Sequence, residues 1–298
     1  MRIPTNSFPD SLVTQLQQLT GRQTDAQREI ATGQRIVNPS DDPAAAARVL
    51  EYQAEKQQIQ QFARNNDRAN NISTASFAAV KQLKETSDRA GEIVVLGSGT
   101  LGPDALRAYG AEAEQMLEHA LQAANTKYAG EHLFGGTKSD TPPFTAVRDV
   151  AGHITSVSYA GAASGAEIRT SEGAKISPFT SGAENQKFAD FMNNLVSLRD
   201  ALQSGNANTV QGTHAALQTS EDDFIVTISD IGAKQTRLEA DRSQNEARFA
   251  QLENLTGSET DADLTQAVVK LTQAQTAYQA ALQSGAKALS MSLLDYIR

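Results

Sequence analysis

Both ends of the chain carry apolar residues at alternating steps of three and four, the spacing that lines one face of a helix. Near the N-terminus the series is Leu12, Leu16, Leu19, Gln23, Ala26, Ile30 and Val37. Near the C-terminus it is Leu264, Val268, Leu271, Gln275, Tyr278, Leu282, Ala286, Leu289 and Leu293, and Tyr296 continues it. The second series is a heptad seam. Another runs through Ile228, Ile231, Gln235, Leu238, Arg242, Asn245, Phe249 and Leu252, interrupted by polar residues. Between these two seams, "NLTGSETDADLT" predicts a hinge: Gly257 ends one helix, and Thr260 with Asp263 forms a capping box for the next. Neither terminal stripe can be buried by its own helix, so each needs a partner.

The middle of the chain differs in kind. From about residue 133 to 182, Gly, Pro, Ser and Thr concentrate, and the helical period gives way to "FTAVRDV", "HITSVSYA" and "AEIRTS". "DVAGH" turns the first two runs into a hairpin. Helices resume near Glu184. The order of helices, β insertion and helices predicts a mainly α fold with a small β-rich insertion. The long helices imply an elongated body, with the N- and C-terminal helices pairing as a coiled coil. The expected division is a terminal coiled-coil assembly domain (1–42 and 262–298), a helical rod (43–136 and 183–261) and a self-contained inserted domain (137–182).

One stretch points elsewhere. "EIVVLGSGTLG" places Gly97, Gly99 and Gly102 at the G-x-G-x-x-G spacing behind an apolar run. That fingerprint binds a dinucleotide only inside a strand-turn-helix unit. Here the residues from Ile59 to Arg89 read as a long polar, Ala-rich helix, and Ile93 to Leu96 as its last apolar turn. Gly102-Pro103-Asp104 reads as the start of another helix running to about Lys127. A second strand is missing, and Glu118, near the spacing of a ribose-binding acid, falls in mid-helix. The residues therefore favour a Gly-rich corner between antiparallel helices, with a dinucleotide-binding enzyme as the distant alternative.

Composition narrows the class further. The 298 residues include no Trp and no Cys, only 10 Phe and 6 Tyr, and mean hydropathy is -0.42. Such material suits helices that bury Ala and Leu along narrow seams better than a thick core. No apolar run approaches the roughly 18 to 20 residues that span a bilayer, and the N-terminus lacks a signal-peptide apolar region, so neither a membrane span nor a cleaved signal is expected. The net charge of -9, without a basic cluster, argues against nucleic acid as partner. His119, His132, His153 and His214 lie far apart without ligand spacing, and Asp41 with Asp42 lacks further ligands. No metal, cofactor or catalytic residue is predicted, and "SEDDF" at residues 220–224 reads as a solvated acidic first turn.

"ATGQRIVNPSDDPAAAARVLEYQ", residues Ala31 to Gln53, resembles the N-terminal signature of the flagellin superfamily, the bacterial flagellins and hook-associated proteins. "EHLFGGTKSDTPPF" and the ending "AYQAALQSGAKALSMSLLDYIR" resemble the hook-filament junction members more than flagellin itself. Physically, Pro39 disfavours helix at Asn38, so the first helix is expected to end near Val37; Pro43 then starts the next with Asp42 as its cap. Asn38, Pro39, Ser40, Asp41, Asp42 and Pro43 form the motif and the helix break.

The resemblance implies a structural subunit, not an enzyme, joining hook to filament outside the cell. It implies a homo-oligomeric ring, another hook-associated protein on the hook side, flagellin on the filament side, and an export chaperone with the flagellar type III apparatus. The residues expected at the assembly interface are Leu12, Leu16, Leu19, Ile30, Leu264, Val268, Leu271, Tyr278, Leu282, Leu289 and Leu293. A small flagellin and a generic coiled-coil adaptor remain as alternatives.

Overall fold

The computed structural model describes the backbone of residues 7–296 and the side chains of residues 10–287. The chain folds into helices α1 (Ser7–Thr32), α2 (Pro43–Gly97) and α3 (Pro103–Ala124), then strands β1 (Lys127–Tyr128), β2 (Glu131–His132), β3 (Phe144–Arg148), β4 (Ile154–Tyr159), β5 (Ile168–Arg169) and β6 (Lys175–Ile176). Helices α4 (Gly182–Ser204), α5 (Ala207–Gly212), α6 (His214–Thr260) and α7 (Leu264–Tyr296) complete it. The strands pair antiparallel in sequence order as three two-stranded sheets. The fold is therefore mainly α with a small β insertion. Backbone contacts divide the chain into two compact units, residues 58–247 and residues 1–57 with 248–298, and both boundaries fall inside α2 and α6.

The unit of residues 58–247 is organised by a seam on α2. Ile59, Phe62, Asn66, Ala69, Ser73, Ser76, Val80, Leu83, Ser87, Ala90 and Val94 are all buried, and they follow one another at alternating steps of three and four. More than half of them are Ala, Ser or Asn, so a hydrophobicity count reads this helix as polar. The aromatic centre lies beside it. The Phe188 ring stacks on Phe224 at 5.6 Å and meets Phe134 edge-on at 5.4 Å, while Phe191 meets Phe224 edge-on at 5.0 Å.

The insertion is not self-contained. Phe144, Ile154, Val157 and Phe179 are buried in the same cluster as Leu83, Leu117 and Phe188. Side chains of the helices also satisfy the backbone of its main hairpin. Asn125 donates to the Phe144 carbonyl at 2.9 Å and accepts from its amide at 3.1 Å. Asn193 does the same at Val157, both at 2.9 Å. At Ile154, Glu114 accepts from the amide and Arg199 donates to the carbonyl, the two side chains being a buried ion pair at 2.6 Å. An isolated two-stranded hairpin is marginal in water, and here the helices supply the partners that further strands would otherwise provide.

Several local expectations are corrected. β structure begins at Lys127, and α3 stops at Ala124. "SEDDF" lies within α6, where Phe224 is core and Asp223 pairs with Lys187 at 2.6 Å; the helix starts six residues earlier, so these acids complement no helix end. The G-x-G-x-x-G stretch joins α2 to α3, with helix on both sides. Gly97 is there for space: a β carbon would stand 3.1 Å from Leu202 and Val210. This corner has no strand to aim a phosphate at a helix N-terminus, which overturns the dinucleotide-site reading of Gly97, Gly99 and Gly102.

Candidate assembly surface

The two helix breaks lie side by side. α1 ends at Thr32, five residues before the expected Val37, because Gly33 adopts φ +68 and its amide closes on the Glu29 carbonyl at 2.9 Å. α6 runs through Gly257 to Thr260, so the hinge is Asp261 to Asp263 and not Gly257. Asp263 alone caps α7, accepting from the amides of Thr265 and Gln266 at 2.9 and 3.1 Å. The capping box with Thr260 does not form; the Thr260 hydroxyl bonds back to the Thr256 carbonyl within α6. The breaks are joined by backbone: the Arg35 amide donates to the Thr260 carbonyl at 2.7 Å, and the Ala262 amide to the Gly33 carbonyl at 2.9 Å.

Within the motif, each carboxylate has a local task. Asp41 folds the turn back, accepting from the Val37 and Asn38 amides at 3.1 and 2.8 Å. Those bonds hold its pKa below the ordinary value. Asp42 caps α2 through the Ala45 amide at 3.1 Å, which lowers its pKa in turn. Pro43 opens α2, where a missing amide does no harm. Around this turn, Arg48 holds Glu259 through two bonds of 2.8 and 2.9 Å, and Arg35 reaches Asp42 at 3.3 Å and the Glu259 carbonyl at 2.8 Å. The Arg48 guanidinium keeps Glu259 below the usual carboxylate range. An ionic clasp therefore closes over the two strands of chain that leave the α1/α7 pair.

Beyond the clasp, α1 and α7 pack along each other. On α1 the expected face is the covered one: Leu19 and Ala26 are buried, and Leu12, Leu16, Gln23 and Ile30 are half-buried. On α7 the covered face is displaced from the expected seam. Ala267, Ala274 and Gly285 are buried, with Leu271, Tyr278 and Ala281 half-buried beside them. Small residues on α7 let the larger α1 side chains interdigitate, so that Leu12 rests against Gly285. The Gln23 amide reaches the Ala274 carbonyl at 3.3 Å, and Lys270 lies 3.5 Å from Glu29. Among the described side chains of the expected α7 seam, only Leu271 and Tyr278 are half-buried. Leu264 and Val268 are each 50% exposed and Leu282 45%. The side chains of Leu289 and Leu293 lie outside the described residues.

The spacing of large apolar residues alone gave no means of choosing between these two faces of α7. The signal for the covered one was the heptad of small residues, Ala267, Ala274 and Ala281, which hydrophobicity ranks below Leu and Val. Elsewhere the histidines have local roles: the buried His132 Nδ1 lies 2.9 Å from the Asn125 carbonyl, and His153 lies 3.4 Å from Glu114. Among the described residues no helix is long and apolar enough to cross a membrane.

The family of the bacterial flagellin N-terminal helical region matches residues 3–139. Over 277 residues the chain is 23% identical to flagellar hook-associated protein 3 of Escherichia coli strain K12, covering 85% of this chain and 87% of that protein. The structure of Bacillus cereus FlgL superposes with a TM-score of 0.60 at 19% identity, over 70% of this chain and 99% of that one. That of the flagellar junction protein FlgL from Legionella pneumophila gives 0.55 at 13% identity, over 72% and 100%. The clasped pair of terminal helices and the helical body with its small β insertion thus belong to a chain that resembles hook-associated protein 3 along most of its length and shares the fold of these FlgL structures.

Proposed function

We propose that this chain is a structural subunit of the bacterial flagellum that joins hook to filament and assembles through its terminal helices. The observation that carries this reading is that Leu264, Val268 and Leu282 are uncovered on one side of a helix whose other face is already packed. Several large aliphatic side chains on one side of a helix mark a surface completed by association. Leu12, Leu16, Leu19, Ile30, Leu271 and Tyr278 would hold the pair together beneath that surface, and Leu289 and Leu293 stay in the proposed interface on sequence spacing alone. The likeness to hook-associated protein 3 supports the same role.

In this reading residues 1–42 and 262–298 are the assembly part, 43–136 and 183–261 the rod, and 137–182 a lobe on the rod. Copies form a ring between another hook-associated protein and flagellin, after export by the flagellar type III apparatus with its chaperone. The work is mechanical and involves no cofactor. Immunogold labelling of isolated flagella tests it: a single label where hook meets filament is expected. Label along the whole filament would make the chain a small flagellin, and absence from flagella would end the reading.

A further inference from the structure

α2 and α6 lie side by side: Arg248 pairs with Glu55 at 2.7 Å, and Gln235 reaches the Thr74 hydroxyl at 3.4 Å. Between these contacts each helix buries an asparagine. On α6, Asn245 stands at a spacing of seven between Leu238 and Leu252, and on α2, Asn66 lies between Phe62 and Ala69. Polar residues at such positions weaken a helix seam. Both are aimed at one oxygen, the Thr170 carbonyl just after β5: Asn245 donates to it at 2.9 Å, and the Asn66 amide reaches it at 3.5 Å. The Thr170 hydroxyl donates to Asp241 at 2.6 Å, and Asn65 donates to the Arg169 carbonyl at 2.8 Å. The β5–β6 hairpin thus fills a polar gap in the helix pair.

The hairpin is tied down lightly. Its Ile176 is buried with Ala69 and Leu238 in a small cluster, linked to the main core by the half-buried Ile168. Beside β6 a groove of about 650 Å³ opens between Lys175, Ile176 and Phe179 and, on α6, Asp230, Ala233 and Lys234. A two-stranded sheet has little stability of its own. Even with the hairpin seated, Asn66 Oδ1 is buried without a donor among the described residues.

We propose that the β5–β6 hairpin is a detachable clip: seated, it holds α2 and α6 together across the gap, and released, it makes the gap the point at which the helix pair bends. Release leaves Asn66, Asn245 and Asp241 to water, which hydrates them readily, whereas opening the seam elsewhere exposes apolar side chains. The gap lies within about two helical turns of the place where both helices pass from one compact unit to the other, at residues 57/58 and 247/248. A bend there moves one unit against the other without unfolding either. In a subunit that joins hook to filament, such a point lets the chain follow a curve; that consequence rests on the proposed role, while the clip itself rests only on these contacts.

The sequence has no Cys, so the purified full chain accepts spin labels at chosen sites. Ala47→Cys and Gln122→Cys, both exposed and one in each unit, report the spread of distances between the units by pulsed electron resonance, and hydrogen exchange is read on the same protein. Asn66→Ala with Asn245→Ala should raise exchange at residues 168–176 about tenfold and broaden the distance distribution, with protection of residues 103–124 and 182–204 unchanged. Thr170→Val keeps the carbonyl and loses the bond to Asp241; it should show the same changes in smaller measure. Faster exchange at residues 168–176 with an unbroadened distribution would make the hairpin a part of the insertion only and overturn the proposal. So would a distribution already as broad in the unmodified chain, no change in either measurement, or loss of protection across the whole of residues 58–247. None of these outcomes bears on whether the protein sits at the junction, which the immunogold labelling decides.

Discussion

The Leu12 side chain lies so close to the backbone of Gly285 that a β carbon at residue 285 would overlap its methyl groups. Glycine is required at this point by approach, since Gly285 sits inside α7 with ordinary helical geometry. Gly285→Val should force α1 and α7 apart, at a cost of about 1–3 kcal/mol for overpacking. Hydrogen exchange would read this as lost protection in residues 10–30 and 264–287, with residues 58–247 unchanged. Leu12→Ala in the same chain should restore part of the protection; no recovery would mean that the two residues do not meet.

The clasp should respond to acid. Asp42 and Glu259 have folded-state pKa values lowered by the Ala45 amide and by Arg48. Their contribution is therefore complete above the ordinary carboxylate range, about 4 to 4.5, and is lost as pH falls through the lowered values. Exchange at residues 33–42 and 258–266, taken relative to the intrinsic rate of the unfolded chain at each pH, should rise below about pH 4. Glu259→Gln should raise it at neutral pH and flatten the acid response, and high salt should weaken the exposed pairs in the unmodified chain.

The buried pair between Arg199 and Glu114 anchors β4 to α3 and α4. Arg199→Ala leaves a carboxylate buried without its cation and should cost about 3–5 kcal/mol, seen as a lower denaturant midpoint. Combining Arg199→Met with Glu114→Gln removes the stranded charge and should recover part of the loss. Equal midpoints for the single and double variants would contradict the account.

Replacing residues 137–182 by a Gly/Ser linker should disrupt the unit of residues 58–247, because Phe144, Ile154, Val157 and Phe179 leave its core with them. Losing a buried Phe alone costs about 3–5 kcal/mol. A broad, non-cooperative thermal melt by circular dichroism is expected, with protection retained in α1 and α7. A sharp melt at the original temperature would show that the helices need none of these residues.

Two glycines of the α2–α3 corner should behave differently. Gly97→Val meets Leu202 and Val210 and should destabilise, while Gly102→Ala enters open space at φ -72 and should change stability by less than about 0.5 kcal/mol. Thermal melts of the two variants decide it. Equal effects would point to a shared role for the two glycines.

The sequence by itself determined the elements whose signals are local. Pro39, Asp42 and Pro43 act through fixed φ and capping, so the break before α2 and the residue that caps it were legible. So were the hairpin turn at "DVAGH", where Gly152 takes φ +91, and the apolar face of α1. Each depends on a few neighbouring residues. Only the tertiary structure decided what depends on a partner. α1 could have ended near Val37 as the proline suggested, but Gly33 closes it early and its carbonyl pairs with Ala262 across the two breaks. The α2 seam is more than half Ala, Ser and Asn, so its burial follows from the helices and strands around it and not from its own hydrophobicity. On α7, two faces carry helical periodicity, and large aliphatics mark the wrong one for α1. The close approach of Leu12 to Gly285 and of Gln23 to Ala274 selects the small-residue face, leaving Leu264, Val268 and Leu282 exposed. Periodicity states that a helix has a face to bury; only the distance between packed backbones states which residues are small enough to bury it.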